Sequence, residues 1–475
     1  MSRGLVAAAL VCATVSPAAA QAPAQPFPRG EVVEEVRSRS FPDQRYALYL
    51  PSTLDPAVPA PVLFVMDPRR RALVPITLFQ PAAERFGYII VSSYNTISDE
   101  SMEPNLRALQ AMWTDMHDWF RVDDRRVYLA GFSGTARTAW LLARHLSGTF
   151  TGVIGAAAGS HPDYPPTADF KFAYYATVGT VDYNYYELQR LEERLAAVGL
   201  RHRVEQFEGP HGWMPAPLAM QAIEWMELQA MRAGLRPVEA ELVDSWWARD
   251  EAAAQVWLDA GRPLEASWRY AAMARDYAGL RPLGDAVEKA ASLGVSPPAK
   301  QELERRQRAA RQDALWTRTA MSIITEAFMP GTETPALPAD QLARELEVAR
   351  LRRAAGSANA DEANDAQRRL NTIEVQLGFY LPREALSRAE YVRAAYYLEV
   401  AVRMDEHSPV SWYLTAVARA RLREPSEAAA ALARAIDCGY RNVAEFEAES
   451  AFRNVAKDAA FAAAAGRLRA VASDR

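Results

Sequence analysis

The chain has 475 residues, about half of them hydrophobic and a quarter charged, with a formal net charge of -5. Such a length holds two or three domains, and such a composition builds globular cores rather than disordered or fibrous chains. The acidic balance gives no electrostatic ground for binding nucleic acid.

Arg3 precedes an apolar run from Leu5 to Val15, and Ala18-Ala19-Ala20 precedes Gln21. This is the basic, apolar and small-residue order of a cleaved secretory signal, expected over residues 1–20. The run is too short to span a bilayer, and no later segment is long and apolar enough to do so. Cys12 lies inside the apolar run, which argues against a lipid anchor. Removal of the signal leaves Cys438 as the one cysteine, so no intramolecular disulfide can form. An exported chain without disulfides fits a bacterial periplasm or secretion.

Residues 21–30 are rich in Pro and Ala and read as a flexible leader. Glu31–Ser38 and Arg45–Leu50 alternate like two antiparallel strands, followed by a Pro-rich connection. Val62–Met66 is continuously apolar, as in a strand buried on both faces. A helix over 78–86 and a strand over 88–91 follow. Leu106, Leu109, Met112, Trp113, Met116, Trp119 and Phe120 recur at helical spacing and predict a helix over 104–120. His117 lies beside that stripe and reads as a packing residue. Next comes Arg125–Ala139, a strand, a tight turn at Gly131-Phe132-Ser133-Gly134 and a helix. It is close to the G-x-S-x-G turn that lifts a serine out of a sheet, with Thr135 where the last glycine stands. A β-branched residue is accommodated there if strand and helix sit slightly further apart. Strands over 153–158, 170–178 and 203–207 alternate with helices over 188–198 and 218–232. This alternation predicts a mostly parallel sheet with helices on both faces. Chemistry collects at the carboxyl ends of such strands.

Three residues sit at those ends in the order Ser, Asp, His: Ser133, Asp182 in Gly179-Thr180-Val181-Asp182, and His211 in Gly209-Pro210-His211-Gly212. On these motifs residues 31–235 resemble an α/β-hydrolase of the esterase and polyhydroxyalkanoate-depolymerase-like branch. The resemblance implies that Ser133 is a nucleophile, His211 its base and Asp182 the group that orients the imidazole. It implies acyl transfer on a small-molecule or polymer ester, with no cofactor and no metal. The Gly134 amide would be one oxyanion donor. The second should come from the loop after Met66, where many relatives carry His-Gly-Gly and this chain has Asp67-Pro68-Arg69-Arg70-Arg71; Pro68 has no N–H, which leaves the Arg69 amide.

Alternatives stand beside these choices. Asp163 competes with Asp182 for the acid and His161 with His211 for the base, while His145, His202 and His407 sit in charged or solvated contexts. Arg69–Arg71 read either as a solvated loop or as a rim that grips an acidic substrate group. Tyr183, Tyr185, Tyr186 and Trp213 either line a pocket or merely pack.

From residue 236 strand signals vanish and Ala, Arg, Glu and Leu recur at helical spacing. Ala394, Leu398 and Ala401 repeat as Ala428, Leu432 and Ala435, a tetratricopeptide-like period with Trp412 and Ala416 at matching large and small positions. Pro382 is expected to break one helix, Met329–Ala339 to be a loop, and Ala254–Tyr277 to be a helical hairpin. Residues 236–475 are thus expected to form an α-helical domain that either binds a protein or peptide partner or restricts the mouth of the hydrolase. The competing reading is an inactive hydrolase fold serving as a periplasmic binding scaffold.

Overall fold

The structure, a computed structural model, describes residues 27–98 and 101–473. The signal expected at 1–20 and most of the leader lie outside these residues. Eight strands, β1 (Val32–Arg37), β2 (Arg45–Tyr49), β3 (Ala60–Met66), β4 (Ile89–Ser93), β5 (Val122–Phe132), β6 (Gly152–Ala156), β7 (Ala173–Gly179) and β8 (His202–Phe207), form one sheet. Their order is β1-β2-β4-β3-β5-β6-β7-β8. Only β2 runs against its neighbours, and every other pairing is parallel. Four helices lie between strands, α1 (Leu73–Phe86), α2 (Glu103–Trp119), α3 (Gly134–His145) and α4 (Tyr185–Ala197), and α5 (Ala216–Arg232) follows β8. This is the α/β-hydrolase fold, as the motif order predicts.

The continuous apolar runs have a simple cause. Successive strand residues point to opposite faces, and both faces here are covered. Val62, Phe64 and Met66 of β3 join one core with α2, α3 and α4. Leu63 and Val65 join the other with α1 and α5. Helix α1 begins at Leu73, earlier than expected, because Pro75 falls in its first turn, where a missing N–H costs nothing. From β3 the chain crosses to β4 on one side, then through α2 to β5 on the other. The strand order therefore reverses at β3, and the carboxyl ends of β3 and β5 open the crevice where ligands bind in such sheets.

The compact unit that holds the sheet extends to Arg306, beyond residue 235. It includes α6 (Ala240–Asp259), α7 (Pro263–Asp276) and α8 (Ala286–Gly294), the first two forming the expected hairpin. The physical tie is a buried charge network. Arg203 of β8 donates to Asp250 of α6 at 2.9 and 3.3 Å and to Asp276 of α7 at 3.1 Å. Arg269 of α7 grips Glu205 of β8 through two bonds of 2.6 and 2.8 Å. Arg275 donates to the His202 carbonyl at 2.7 Å. The indole of Trp225 donates to the Asp276 oxygen that Arg203 also contacts, at 2.9 Å, and the hydroxyl of Tyr277 to Asp250 Oδ2 at 3.0 Å. These bonds fasten α6 and α7 to β8, the last strand in the sheet order.

The second unit, from Gln307 onward, is helical. The repeated residues Ala394, Leu398 and Ala401 and their counterparts Ala428, Leu432 and Ala435 are all buried, on helices Tyr391–Met404 and Pro425–Asp437. Between these helices lies Pro409–Arg421, joined to each by a short connection, as in antiparallel helical hairpins. The loop expected at 329–339 separates helices ending at Ala327 and starting at Ala339. Pro382 does not end a helix. The chain stays helical from Ala360 to Ser387, with a π-helical stretch at Gln376–Tyr380 just before the proline. Such a bulge absorbs the ring and the missing donor within a continuous helix. Among the described residues no helix is long and apolar enough to cross a membrane.

Candidate active site

Strand β5 ends at Phe132 and α3 begins at Gly134, so Ser133 alone makes the turn. Its backbone sits at φ 54 and ψ −127, a region that non-glycine residues adopt only when the surroundings force them to. The forcing bonds run from the Ser133 amide to the Ala156 carbonyl at 2.8 Å, and from the Ala136 amide to the Ser133 carbonyl at 3.0 Å. A Cβ on Gly131 would lie 2.4 Å from the Thr135 carbonyl oxygen, so this approach demands glycine.

That same distance corrects the expectation about Thr135. Strand and helix do not move apart to admit it. Its buried hydroxyl instead turns toward β3, lying 2.7 Å from the Met66 carbonyl and 2.8 Å from the Phe132 carbonyl, and accepts the Phe132 amide at 3.1 Å. Thr135→Val keeps the shape and removes these bonds. It should destabilise the fold by about 1–3 kcal/mol, the cost of buried polar groups left unpaired, read from the urea midpoint.

The three residues at the strand ends come together. His211 Nε2 is 2.9 Å from Ser133 Oγ, and His211 Nδ1 is 3.0 Å from both oxygens of Asp182. Asp182 is fully buried and also accepts the Asn184 amide at 2.8 Å, while the Asn184 side chain donates to the Ala157 carbonyl at 2.8 Å. The imidazole lies between two rings, stacked on Tyr183 at 4.3 Å and tilted to Phe132 at 4.9 Å. The loops that carry the acid and the histidine are fastened together. Thr180 N–H donates to the Phe207 carbonyl and Val181 N–H to that of Gly209, at 2.8 and 3.1 Å. A side chain on Gly179 would collide with the Gly209 carbonyl at 2.2 Å.

The competing residues lie elsewhere. Asp163 is exposed, and its amide donates to His161 Nδ1 at 3.3 Å. His161 packs on Tyr164. His117 stacks on Trp113 and bonds Asp124 at 3.0 Å, a packing role. His202 is buried rather than solvated, and burial pushes its imidazole down to about 4. Among the described residues no group of three or more metal-ligating side chains is placed to hold an ion.

No family model matches this chain, and neither does any curated protein. It is similar to solved structures. The fluorophosphonate-binding serine hydrolase F of Staphylococcus aureus aligns at 13% identity and TM-score 0.35, over 42% of this chain and 99% of that one. An S-formylglutathione hydrolase of the same organism aligns at 14% identity and TM-score 0.33, over 42% and 98%. An esterase of Pyrobaculum calidifontis aligns at 13% and 0.35, over 43% and 87%.

The loop after β3 departs from expectation. The Arg69 amide, the expected second oxyanion donor, donates to Asp67 Oδ1 at 2.8 Å and is not available. The physical reason is local: an aspartate side chain captures the amides just downstream of it. Asp67 is fully buried at the end of β3 and also binds the Arg71 guanidinium at 2.8 and 3.1 Å and the Trp213 indole at 2.9 Å. Trp213 stands two residues after His211 and packs on Phe132, so Asp67 joins the β3 loop to the histidine loop. Of the arginine run, Arg71 is thereby engaged within its own loop. Nothing in the sequence distinguishes Asp67 except that it is a charge placed directly after five buried apolar residues.

Proposed function

We propose that this chain is an exported serine hydrolase that cleaves a carboxylic ester through an acyl-enzyme. The observation that carries this is the position of His211, within hydrogen-bond reach of Ser133 Oγ on one side and Asp182 on the other. A serine hydroxyl is a weak nucleophile until a base takes its proton. His211 Nε2 is placed for that, and Asp182 at Nδ1 selects the tautomer and stabilises the imidazolium. The Gly134 amide, first in α3, is one of those a helix leaves without an internal partner, at the positive end of the helix dipole. In this reading it receives the oxyanion. Export to a periplasm or outward is supported by the sequence pattern of residues 3–21, and the buried small-residue repeat from Ala394 to Ala435 supports a tetratricopeptide-like surface for a protein or peptide partner. The inactive-scaffold alternative draws on Thr135 and the missing His-Gly-Gly; the bonds of Thr135 leave the elbow intact and remove half of that ground.

A fluorophosphonate probe tests the reading. Folded full-length protein should be labelled and should hydrolyse short p-nitrophenyl esters, and Ser133→Ala should do neither. Unlabelled but folded wild-type protein would overturn it.

A further inference from the structure

We propose that Tyr183, directly after the acid, is a positioning residue whose ring face holds the His211 imidazole in place and stabilises its protonated form. This rests on the acyl-transfer reading of the site. The hydrogen bonds of the imidazole leave one motion open. Nε2 is 2.9 Å from Ser133 Oγ, and Nδ1 is 3.0 Å from each oxygen of Asp182. A turn of the ring about the line from the serine to the carboxylate changes these bonds little, so contact with the ring's faces must limit it.

Tyr183 supplies that contact. Its ring is stacked on the imidazole, with centroids 4.3 Å apart and planes 24° apart. Phe132 flanks the imidazole as well, at 4.9 Å and 43°. Both rings are backed by fixed structure. Phe132 packs on Trp213, whose indole donates to the buried Asp67 at 2.9 Å. Tyr183 sits in a turn held at both of its neighbours. The Asp182 amide donates to the Gly179 carbonyl at 3.1 Å and the Tyr185 amide to the Asp182 carbonyl at 3.0 Å. The Asn184 side chain donates to the Ala157 carbonyl at 2.8 Å.

An aromatic ring is negative over its face. The contact is therefore weak for a neutral imidazole and stronger for an imidazolium. His211 becomes positive only as it takes the serine proton. An interaction that strengthens on the way to the transition state raises kcat rather than ground-state binding. Tyr183 is half-buried and the His211 side chain is 13% exposed, so little water screens the pair.

The charge appears and leaves in a balanced cycle. Ser133 Oγ bonds the ester carbonyl carbon as its proton passes to His211 Nε2, and the carbonyl π pair moves onto oxygen. The pair returns as the ester C–O bond breaks, and the imidazolium gives its proton to the leaving alcohol. Water then repeats the sequence on the acyl-enzyme, with His211 again positive in between.

The test uses full-length protein and p-nitrophenyl acetate across a pH series. Tyr183→Leu keeps an apolar cover on the imidazole and removes the ring face. It should lower kcat about tenfold, the loss for one cation–π contact, with KM within about twofold. The imidazole must be neutral to act as a base, so the acid limb of the kcat/KM profile follows its protonation. Without the ring face the charged form is less favoured, and that limb should move to lower pH by up to about one unit. Asp182 at Nδ1 and Ser133 at Nε2 are unchanged in the variant, and a packing defect alone would slow the reaction without moving the limb downward. Tyr183→Phe, which restores the ring, should recover kcat to within about threefold of wild type and return the limb to its place. If the urea midpoint shows Tyr183→Leu to be unfolded, Tyr183→Met is read in the same way. A kcat within threefold of wild type in the leucine variant, an acid limb that stays or rises, or a phenylalanine variant as slow as leucine would each overturn the proposal. Fluorophosphonate labelling of wild-type protein separates the two levels. Labelled protein with an inert Tyr183→Leu change refutes only the role of Tyr183, whereas unlabelled protein refutes the acyl-transfer reading beneath it as well.

Discussion

Replacing Asp182 with asparagine should lower kcat for short p-nitrophenyl esters about ten-thousandfold, with little change in the urea midpoint. Asp182 faces the Nδ1 side of His211, so a neutral imidazole keeps its proton there and leaves Nε2 bare toward Ser133. An asparagine can turn its amide N–H to Nδ1, which moves the ring proton to Nε2 and leaves no base beside the serine. It also withdraws the negative charge that stabilises the imidazolium. The companion change Asp163→Asn should leave kcat within about twofold, because that carboxylate is exposed and an exposed surface change disturbs little. Steady-state kinetics on the two variants, side by side, decide between the acids. A larger loss at Asp163 would move the acid to the loop after β6.

The second large effect concerns stability. Arg203→Met should destabilise the sheet-bearing unit by about 3–5 kcal/mol, the range for removing one partner of a buried ion pair. The methionine fills much of the volume but leaves Asp250 and Asp276 buried without their common cation. Urea unfolding followed by tryptophan fluorescence reads this as a lower midpoint at unchanged slope. The pH dependence has a definite sign. Burial alone would raise the Asp250 carboxyl, but Arg203 and Arg269 hold it below the usual carboxylate value. A group depressed in the folded state stabilises above its unfolded value, about 3.9 for aspartate, and that contribution is lost as pH falls through the folded one. The gap between wild type and Arg203→Met should therefore be full near neutrality and narrow in strong acid. Breaking the exposed Arg344–Asp340 pair should, by contrast, leave the midpoint unmoved.

The fold was legible in the sequence where burial leaves a one-dimensional trace. Val62–Met66 is apolar without a break because alternate residues feed two cores, and that run marks β3 without knowledge of its neighbours. Ser133, Asp182 and His211 were legible for a related reason: each follows a strand closely, and parallel strands deliver their ends to one side. Asp67 was not. Its partner Trp213 lies 146 residues away, and no periodicity encodes such a pairing. The choice of Arg69 as a donor failed on the same residue, since an amide looks available in a sequence until the side chain that takes it is placed. Helices α6 and α7 carry an amphipathic stripe that reads alike whether its partner is a sheet edge or another helix. The charges Asp250 and Asp276, which decide where these helices belong, look in the sequence like ordinary solvated residues. Pro382 misled because a proline signals a helix end, while the π-helical turn that lets the helix continue leaves no mark in composition.

The charge network on β8 has a consequence for how the protein is made. A chain leaves the ribosome amino end first, at about 5–20 residues per second, so β8 is complete before Asp250 and Asp276 exist. For those seconds the Arg203 guanidinium lacks the two carboxylates that neutralise it in the folded unit. The sheet can be finished in sequence and still unfinished in structure. The charge of its last strand is balanced only by a segment that contributes no strand, α6 and α7.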